Sequence, residues 1–429
     1  MRILIIASTY PRHEHDYAVP WLRESVARLA GRGHDIEILA PSFEGIADHR
    51  VDGILVHRFR YSPARWEHLT HEQGAPNRIR NPLYEILGAP YFIMGWWAAR
   101  RVASQKRFDI VHAHWPFPHG PMALAAAKVC GARTVLTSHG AEFALARRKA
   151  WIRPLLRRSL QRADLLLANS SWTAREIREL SGREAIVLPF GATVRAAVAG
   201  QPAEWRQDRP RILFTGRLIQ RKGVEYLLRA VPHVLRKQPA EFVITGDGDE
   251  RLRLEELARS LGIHDSVRFV GFVSNDQLDA EYASCDVWVN PAIVDDRGDT
   301  EGLGVGAIDA YVHRKSVVAS AVGGIPDVVR DGVTGLLVPE KDEKRLAEAI
   351  LELLEQPARA AQMAEAGLQL AREEFDWNRI TDRLEGMYCS LLAGRREVPS
   401  GSESSETGRW FTAERTTDGL PNKADVPTV

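Results

Sequence analysis

The sequence contains few cysteines and no long uncharged apolar segment. Its three cysteines, Cys130, Cys285 and Cys389, lie far apart and lack the spacing of a metal site. They are typical of reduced, mostly buried thiols, which suits the cytosol. No uncharged run reaches the roughly 18 residues of a membrane span. The first residues, MRILIIAS, lack the basic region and long apolar core of a signal peptide, so we expect a cytoplasmic protein.

The chain also has little net charge, and it is too long for one ordinary domain. A formal charge of +1 gives no general argument for binding nucleic acid. Its 45% hydrophobic and 26% charged residues are typical of a globular protein rather than a disordered one. A length of 429 residues therefore predicts two domains with additional segments.

Short apolar strands alternate with helical segments in two series, one before residue 198 and one after residue 210. Continuous apolar strands separated by helices predict parallel sheets. The expected fold class is therefore α/β, with two doubly wound, Rossmann-like domains facing each other across a cleft. The predicted parts are an N-terminal domain (1–198), a linker (199–209), a C-terminal domain (210–375), a last helix (376–392) and a disordered tail (393–429). We also expect one strand over 51–59 and one basic amphipathic helix over 146–162.

An acid and several closely spaced glycines lie together in the stretch 295–338. Glu301 belongs to a glycine-rich loop that contains Gly302 and Gly304, and the following helix carries a second acid, Asp309. Glycine lets the backbone approach a ligand closely, and helix N-termini attract phosphate. Carboxylates in such a site suit hydroxyl groups. The combination therefore indicates a nucleotide sugar.

Two cations follow the strand at 212–215, after Gly216. Arg217 offers a planar fork and Lys222 a point charge, and both precede a helix. Such a pair is also a common surface feature at a helix start. Because these cations precede the acid and glycine loop in one βα domain, we favour a diphosphate site.

Histidines cluster around two strands of the first series. His139 follows the strand at 134–138, at the end of a parallel sheet where ligands bind, so it is a candidate site residue. The alternative is a loop histidine without a role. His112, His114 and His119 raise the question of a metal, but no Cys or carboxylate partner is evident. We expect neither a metal site nor a cofactor.

Two segments are candidates for contact with an anionic membrane. The apolar and aromatic segment 83–102 is typical of a buried helix, but its tryptophans also fit an interfacial helix. The segment 147–162 is rich in Arg and has no acid, which fits either a membrane surface or a solvated helix face.

Several motifs resemble a known family. GRLIQRKG, ITGDGDE, FVGFV, EGLGVGAIDA and VGGIPDVVRDGVTGLLVP are similar to the C-terminal domain of retaining glycosyltransferases of family 4, which have the GT-B architecture. GRGHDIEILAP, FDIVHAHW and SHGAEF resemble the N-terminal domain of that family more loosely. The resemblance covers about residues 1–390.

The resemblance implies roles for individual residues. Arg217 and Lys222 would bind the donor diphosphate, and His139 and Glu301 would approach the transferred sugar. The helix 376–392 would cross back to the N-terminal domain. Gly216 is a further implied donor contact. The segment from Val270 to Phe272 would lie along the base, the loop of Gly302, Leu303 and Gly304 would contact the sugar or phosphate, and Asp309 would hold the ribose. We expect no required divalent ion.

Three positions depart from the family pattern. The second acid is Asp309 where the family has Glu. The first loop has Tyr17-Ala18-Val19-Pro20 where Gly-Gly is often found, and 190–193 is Phe-Gly-Ala-Thr where the family has Asn-Gly-Val-Asp. These changes affect the cleft but leave the diphosphate site in place.

The favoured function is transfer of a sugar from a nucleotide-diphosphate sugar, with retention of configuration. The acceptor would be a lipid-linked or polysaccharide intermediate at the inner face of the membrane. One alternative is a nucleotide-sugar epimerase with the same fold. Another is a homologue that has lost turnover and acts as a binding protein. The EGLG loop with cations upstream favours transfer.

Overall fold

The computed structural model describes residues 1–16, 18–70, 82–193 and 209–394. Tyr17, residues 71–81, residues 194–208 with most of the predicted linker, and the predicted tail from residue 395 onward lie outside the described residues. The described chain forms two sheets, and we call the parts built on them the N-terminal and C-terminal domains. An α/β fold with a parallel sheet in each of two domains is confirmed.

The N-terminal domain contains an eight-stranded sheet in the order β3-β4-β2-β1-β5-β6-β7-β8. All its neighbouring pairs are parallel except β3 with β4. The strands are β1 (Arg2–Ile6), β2 (Asp35–Pro41), β3 (His49–Val51), β4 (Ile54–Phe59), β5 (Ile110–His114), β6 (Arg133–Ser138), β7 (Leu165–Ala168) and β8 (Ile186–Val187). The helices are α1 (Pro20–Gly31), α2 (Pro82–Gln105), α3 (Pro116–Cys130), α4 (Ala141–Arg148), α5 (Ile152–Arg162) and α6 (Ser171–Ser181).

The central strands are apolar without interruption because both of their faces are covered. In β1, Leu4 and Ile6 pack into one core, while Ile3 and Ile5 pack into another on the opposite face. Successive side chains of a strand point to opposite faces, so a strand between two layers of helices needs apolar residues at every position.

The predicted strand over 51–59 is confirmed over 54–59, as β4, but is wrong at its start. Residues 49–51 form β3, which pairs antiparallel with β4 in a hairpin. The turn consists of Asp52 (φ 51°) and Gly53 (φ 78°). An Asp-Gly pair with positive φ at both positions favours a two-residue hairpin turn. The sequence therefore contains a local signal for this turn.

The predicted single helix over 146–162 is also wrong. The chain forms α4, leaves helical geometry at Lys149, where φ is −118° and ψ is 90°, and starts again as α5. Pro154 lies in the first turn of α5. Proline has no N–H to donate and clashes with the preceding turn, so it is tolerated there but not inside a continuous helix.

The C-terminal domain contains a six-stranded parallel sheet in the order β11-β10-β9-β12-β13-β14. The strands are β9 (Arg211–Thr215), β10 (Glu241–Thr245), β11 (Val267–Gly271), β12 (Val287–Asn290), β13 (Ser316–Ser320) and β14 (Leu336–Val338). The helices are α7 (Val224–Leu235), α8 (Arg251–Ser260), α9 (Asn275–Ser284), α10 (Val305–Val312), α11 (Ile325–Val328), α12 (Glu343–Glu355), α13 (Pro357–Glu374) and α14 (Trp377–Leu392). The strand order reverses between β9 and β12. Ligands of open parallel sheets bind at such a point.

The last helix, α14, packs on the N-terminal domain. Its buried face contributes Ile380, Leu384 and Met387 to the core that also contains Ile3 and Ile5 of β1. The Asp376 carboxylate caps the start of this helix by accepting from two backbone N–H groups. The chain thus returns to the first sheet immediately after α13.

Candidate active site

The loops that follow β9 and β10 are in backbone contact. A Cβ on Gly246 would lie 2.0 Å from the carbonyl oxygen of Gly216, and one on Gly248 would lie 2.3 Å from that of Leu218. Gly216 itself has a φ of 146°, a conformation that side chains rarely adopt. Only glycines allow this packing. It holds Arg217, which is exposed, at the end of β9.

The acid of the glycine-rich loop is paired with the cations that follow β9. Lys222 donates to Oε2 of Glu301, and Nη1 of Arg221 lies 3.1 Å from the same oxygen. The three side chains are 11–17% exposed. The structure therefore brings together Lys222 and Glu301, which are almost 80 residues apart in the sequence.

Arg221 was not among the predicted site residues. It contacts the acidic loop at two further points, with Nε 3.5 Å from Asp299 and Nη1 donating to the carbonyl of Thr300 at 3.3 Å. The sequence signal was available, since Arg221 precedes Lys222 directly. The planar guanidinium suits this position because it can serve several acceptors at once.

The charges in this cluster keep Glu301 ionised. Burial alone would raise the pKa of the Glu301 carboxyl, but Lys222 and Arg221 outweigh burial and lower the pKa to about 2. Burial also lowers the pKa of Lys222, with the charge of Arg221 acting in the same direction and that of Glu301 opposing it. An ionised Glu301 accepts hydrogen bonds and has no proton to give at neutral pH. The cluster can therefore hold hydroxyl groups beside a cationic surface.

The glycines around Glu301 permit close contact between loops. A Cβ on Gly302 would lie 2.6 Å from the carbonyl oxygen of His139, in the N-terminal domain. A Cβ on Gly323 would lie 2.1 Å from the carbonyl oxygen of Glu301, and one on Gly324 equally close to that of Gly302. Gly304, with a φ of 91°, precedes α10. The loop of Glu301 is thus in close contact with the loop of His139 in the N-terminal domain.

His139 lies in an aromatic environment. Its Nε2 is 3.1 Å from Nδ1 of His114, and its ring stacks on Phe190 with centroids 5.5 Å apart. Trp21 and Trp115 also contact the ring. Burial lowers the pKa of His139 to about 3, so the imidazole is neutral at physiological pH. A neutral imidazole beside the cleft offers a hydrogen bond without adding charge.

The other histidines have protein partners. Nδ1 of His112 is 2.6 Å from the Tyr388 hydroxyl, and Nε2 of His119 is 2.9 Å from the Tyr91 hydroxyl. Within the described ranges, no group of three or more His, Cys, Asp or Glu side chains could hold a metal ion. The His112, His114 and His119 set therefore belongs to the packing of the N-terminal domain.

The remaining predicted donor residues occupy different environments. Asp309 is buried in α10 and accepts two hydrogen bonds of 2.7 Å from Thr193. The Leu303 side chain is 2% exposed and belongs to the hydrophobic core, so only its backbone is available to a ligand. Val270 is partly buried near the end of β11, and the Phe272 side chain, just beyond the strand, is 74% exposed.

Two known families match the chain, one over most of the N-terminal sheet and one over the C-terminal sheet. The family described as "Glycosyltransferase Family 4" matches residues 21–192, and the family described as "Glycosyl transferases group 1" matches residues 200–370. The first match ends immediately before Thr193, and the second includes all of the residues around Glu301.

Relatives and solved structures match over nearly the whole chain. The chain is 30% identical over 398 residues to a GDP-mannose-dependent α-(1-6)-phosphatidylinositol monomannoside mannosyltransferase of Mycobacterium tuberculosis, a match that covers 89% of this chain and 97% of the relative. It is 26% identical to the glycogen synthase of the same organism, with 92% and 96% covered. Sucrose-phosphate synthase of Thermosynechococcus elongatus has a TM-score of 0.73 at 21% identity, covering 92% of this chain and 99% of that one. The Anabaena protein HepE, solved with UDP and glucose, has a TM-score of 0.69 at 18% identity, with 91% and 100% covered.

Two parallel sheets of this order, with a cationic and acidic cluster at the switch point of the second, define a GT-B glycosyltransferase. The chain belongs to the group 1 glycosyltransferases of family 4, and its activity is that of a hexosyltransferase.

None of the helices in the described part of the chain combines the length and the apolar character needed to cross a bilayer.

Proposed function

We propose that this enzyme transfers a hexose from a nucleotide-diphosphate sugar to a lipid-linked or polysaccharide acceptor, with retention of configuration. The observation that carries the proposal is the cluster of Lys222, Arg221 and Glu301 at the switch point of the C-terminal sheet. GDP-mannose is the first donor to test, because the relative that is 30% identical is named as GDP-mannose-dependent. Retention rests on the family resemblance, and no side chain is assigned as a nucleophile.

The proposed mechanism follows from the charge that develops during transfer. Breaking the bond between the anomeric carbon and phosphate adds negative charge to the leaving diphosphate. Arg217 and Lys222 would stabilise that charge more strongly in the transition state than in the ground state, which is the condition for faster chemistry. The predicted donor contacts at Gly216, Gly302 and Gly304 would place backbone N–H groups beside the phosphates.

The proposed sugar site lies between Glu301 and His139. An ionised Glu301 would accept hydrogen bonds from sugar hydroxyls, and the neutral imidazole of His139 would approach the sugar from the N-terminal domain. The 2.6 Å approach that a Cβ on Gly302 would make to the His139 carbonyl supports this arrangement. Asp309 would hold the ribose and the segment from Val270 to Phe272 would follow the base.

A lipid acceptor is favoured by one face of the N-terminal domain. Helix α2 exposes Ile93, Met94 and Trp97, and Trp151 at the start of α5 is 62% exposed. Arg153 and Arg157 of α5 are also exposed. Exposed tryptophan beside cations suits the headgroup region of an anionic membrane. We therefore propose peripheral contact with the cytoplasmic membrane face through 83–102 and 147–162.

The first experiment is a thermal-shift screen of the purified protein against GDP, UDP, ADP and their common sugars. A ligand that binds only the folded protein raises Tm by mass action. We expect GDP and GDP-mannose to give the largest shift, followed by transfer of mannose to a phosphatidylinositol mannoside acceptor. Isomerisation of the sugar without an acceptor would favour the epimerase, and no shift with any nucleotide would favour the homologue without turnover.

A further inference from the structure

Two aspartates of the C-terminal domain make the same kind of contact with the N-terminal domain. Asp327 accepts from the backbone N–H of Ser171 at 2.5 Å and from its hydroxyl at 2.6 Å. Asp309 accepts from the backbone N–H and the hydroxyl of Thr193, both at 2.7 Å. In each pair, one residue donates two hydrogen bonds to the two oxygens of one carboxylate. Charge-assisted bonds of this kind are about twice as strong as neutral ones.

The contact of Ser171 with Asp327 supplies a hydrogen-bond acceptor at the start of helix α6. Ser171 is the first residue of α6, and Ser170 caps the helix by accepting from the Thr173 N–H. The N–H groups of a first helical turn lack partners within the helix and carry partial positive charge. Asp327, from the other domain, supplies a carboxyl oxygen as the acceptor for one of them. The bond forms only when the two domains are together.

This contact lies beside the proposed sugar site. Asp327 follows Gly324, and a Cβ on Gly324 would lie 2.7 Å from the Cβ of Ser170. A Cβ on Gly302, next to Glu301, would lie 2.9 Å from Nδ2 of Asn169. The end of β7 and the start of α6 are therefore in close contact with the loop that carries Glu301.

The Thr193 contact lies where the chain leaves the N-terminal domain. Nε1 of Trp377 donates to the carbonyl of Ala192 at 2.8 Å, and a Cβ on Gly191 would lie 2.7 Å from the carbonyl oxygen of Phe375. The segment that leaves the N-terminal domain and the segment that returns to it are thus packed together beside Thr193. The Thr193–Asp309 pair thus joins the domains where the chain passes between them, and the Ser171–Asp327 pair joins them across the cleft.

We infer that Asp327 and Ser171 are positioning residues for sugar transfer, which hold the loop of Glu301 against the loop of His139. This inference rests on the proposed function. Without the contact, the diphosphate site remains intact within the C-terminal domain, but the two sides of the sugar site are no longer fixed relative to each other. A misplacement of about 1 Å can cost on the order of 100-fold in rate.

The test compares kcat with nucleotide binding in Asp327→Asn and Ser171→Ala, using GDP, UDP and their sugars as probes. We expect kcat to fall by about tenfold or more in both variants, with the Kd of the free nucleotide within twofold of wild type. Ser171→Thr, which keeps the hydroxyl, should recover most of the rate. Small-angle scattering should show a larger radius of gyration for the two impaired variants in the presence of nucleotide.

The matched control is Asp342→Asn, because Asp342 also caps a helix with its carboxylate but does so within the C-terminal domain. A wild-type kcat and wild-type scattering in both test variants would overturn the inference. So would a parallel loss of kcat, nucleotide binding and Tm, since that pattern indicates a structural role. If the wild-type protein binds no nucleotide and transfers no sugar, the proposed function fails, and scattering alone then decides whether Asp327 and Ser171 hold the domains together.

Discussion

Nη1 of Arg221 lies 3.1 Å from Oε2 of Glu301, the same oxygen that Lys222 contacts. Two cations therefore converge on one carboxylate oxygen, at the carboxyl end of the C-terminal sheet. The arrangement keeps an acid ionised at the site that we propose for a diphosphate. Arg221 serves both requirements. It neutralises part of the negative charge of Glu301, so less of the positive charge of Lys222 is compensated by that carboxylate.

The first prediction concerns the pH dependence that Arg221 creates. The pKa of Glu301 is about 2, below its ordinary value of 4.5, so the stability that its ionised form contributes is complete above pH 4.5 and is lost as pH falls through about 2. In Arg221→Gln the pKa of Glu301 should rise. The acid limb of kcat/KM should move to higher pH, and the loss of Tm below pH 4.5 should be smaller and should end at a higher pH. Arg229→Gln, on the surface of α7, is the control. An unchanged acid limb in Arg221→Gln would refute the electrostatic role.

The second prediction concerns the cations that face the donor. Arg217→Ala and Lys222→Ala should each lower the rate of transfer tenfold or more, because each removes charge that stabilises the leaving diphosphate (roughly 1.4 kcal/mol for each factor of ten). Lys222→Ala should have the larger effect, since it also leaves Glu301 with less compensation. Steady-state kinetics with saturating acceptor measure both. Near-normal rates in both variants would contradict the assignment of the diphosphate to this site. Arg229→Ala is the control.

The fold was predictable because its signals are local and repeated. Continuous apolar strands such as β1 and β10 can only be buried on both faces, and that requirement predicts parallel sheets. The two errors have local causes as well. The turn at Asp52-Gly53 and the break before Pro154 depend on single residues. The spacing of apolar positions, on which the predicted elements were based, does not detect such residues.

The site was predictable only in part. Lys222 and Glu301 were found because cations and an acid in one βα unit are unusual. Arg221 is absent from the prediction because a sequence does not show that both of two adjacent cations turn toward an acid almost 80 residues away. The contacts of Ser171 with Asp327 and of Thr193 with Asp309 join different domains, and no local pattern predicts such contacts.

The third prediction concerns Glu142, which is buried beneath the His139 loop. Oε1 of Glu142 accepts from the His139 N–H at 3.0 Å, and burial raises the pKa of Glu142 to about 7 from an ordinary value of 4.5. The folded state therefore disfavours the ionised form. The associated stability is fully present below pH 4.5 and is lost as pH rises through about 7.

Glu142→Gln removes this titration and keeps an oxygen that can accept from His139. Its Tm relative to wild type should therefore rise between pH 5 and pH 8, by roughly 2–4 °C for each kcal/mol of relieved burial cost. Differential scanning calorimetry across that range measures the difference. Glu184→Gln, at an exposed acid, is the control and should show no such trend. A Tm difference that stays constant with pH would show that burial does not raise the pKa of Glu142 above its value in the unfolded chain.

The fourth prediction concerns the basic face of the N-terminal domain. Arg147 donates to Glu176 and to the Gly298 carbonyl across the cleft, so it is left unchanged in a test of membrane binding. Arg153, Arg157 and Arg158 of α5 are exposed, and none of the ion pairs recorded among the described residues includes them. Replacing all three by Gln should weaken binding to vesicles that contain anionic lipid.

We expect a large loss of vesicle binding, because each cation near an anionic surface contributes about 1 kcal/mol. Added salt should weaken the binding of the wild-type protein in the same way. Vesicle flotation measures the bound fraction. The matched control replaces Arg229, Arg253 and Arg259 of the C-terminal domain, which changes the net charge equally on a different face. Trp151→Ala should weaken binding further, in a way that salt does not reproduce, since the 62% exposed indole would contribute by burial among headgroups. If both triple variants bind the vesicles as wild type does, α5 is a solvated helix face and the acceptor reaches the cleft without its help.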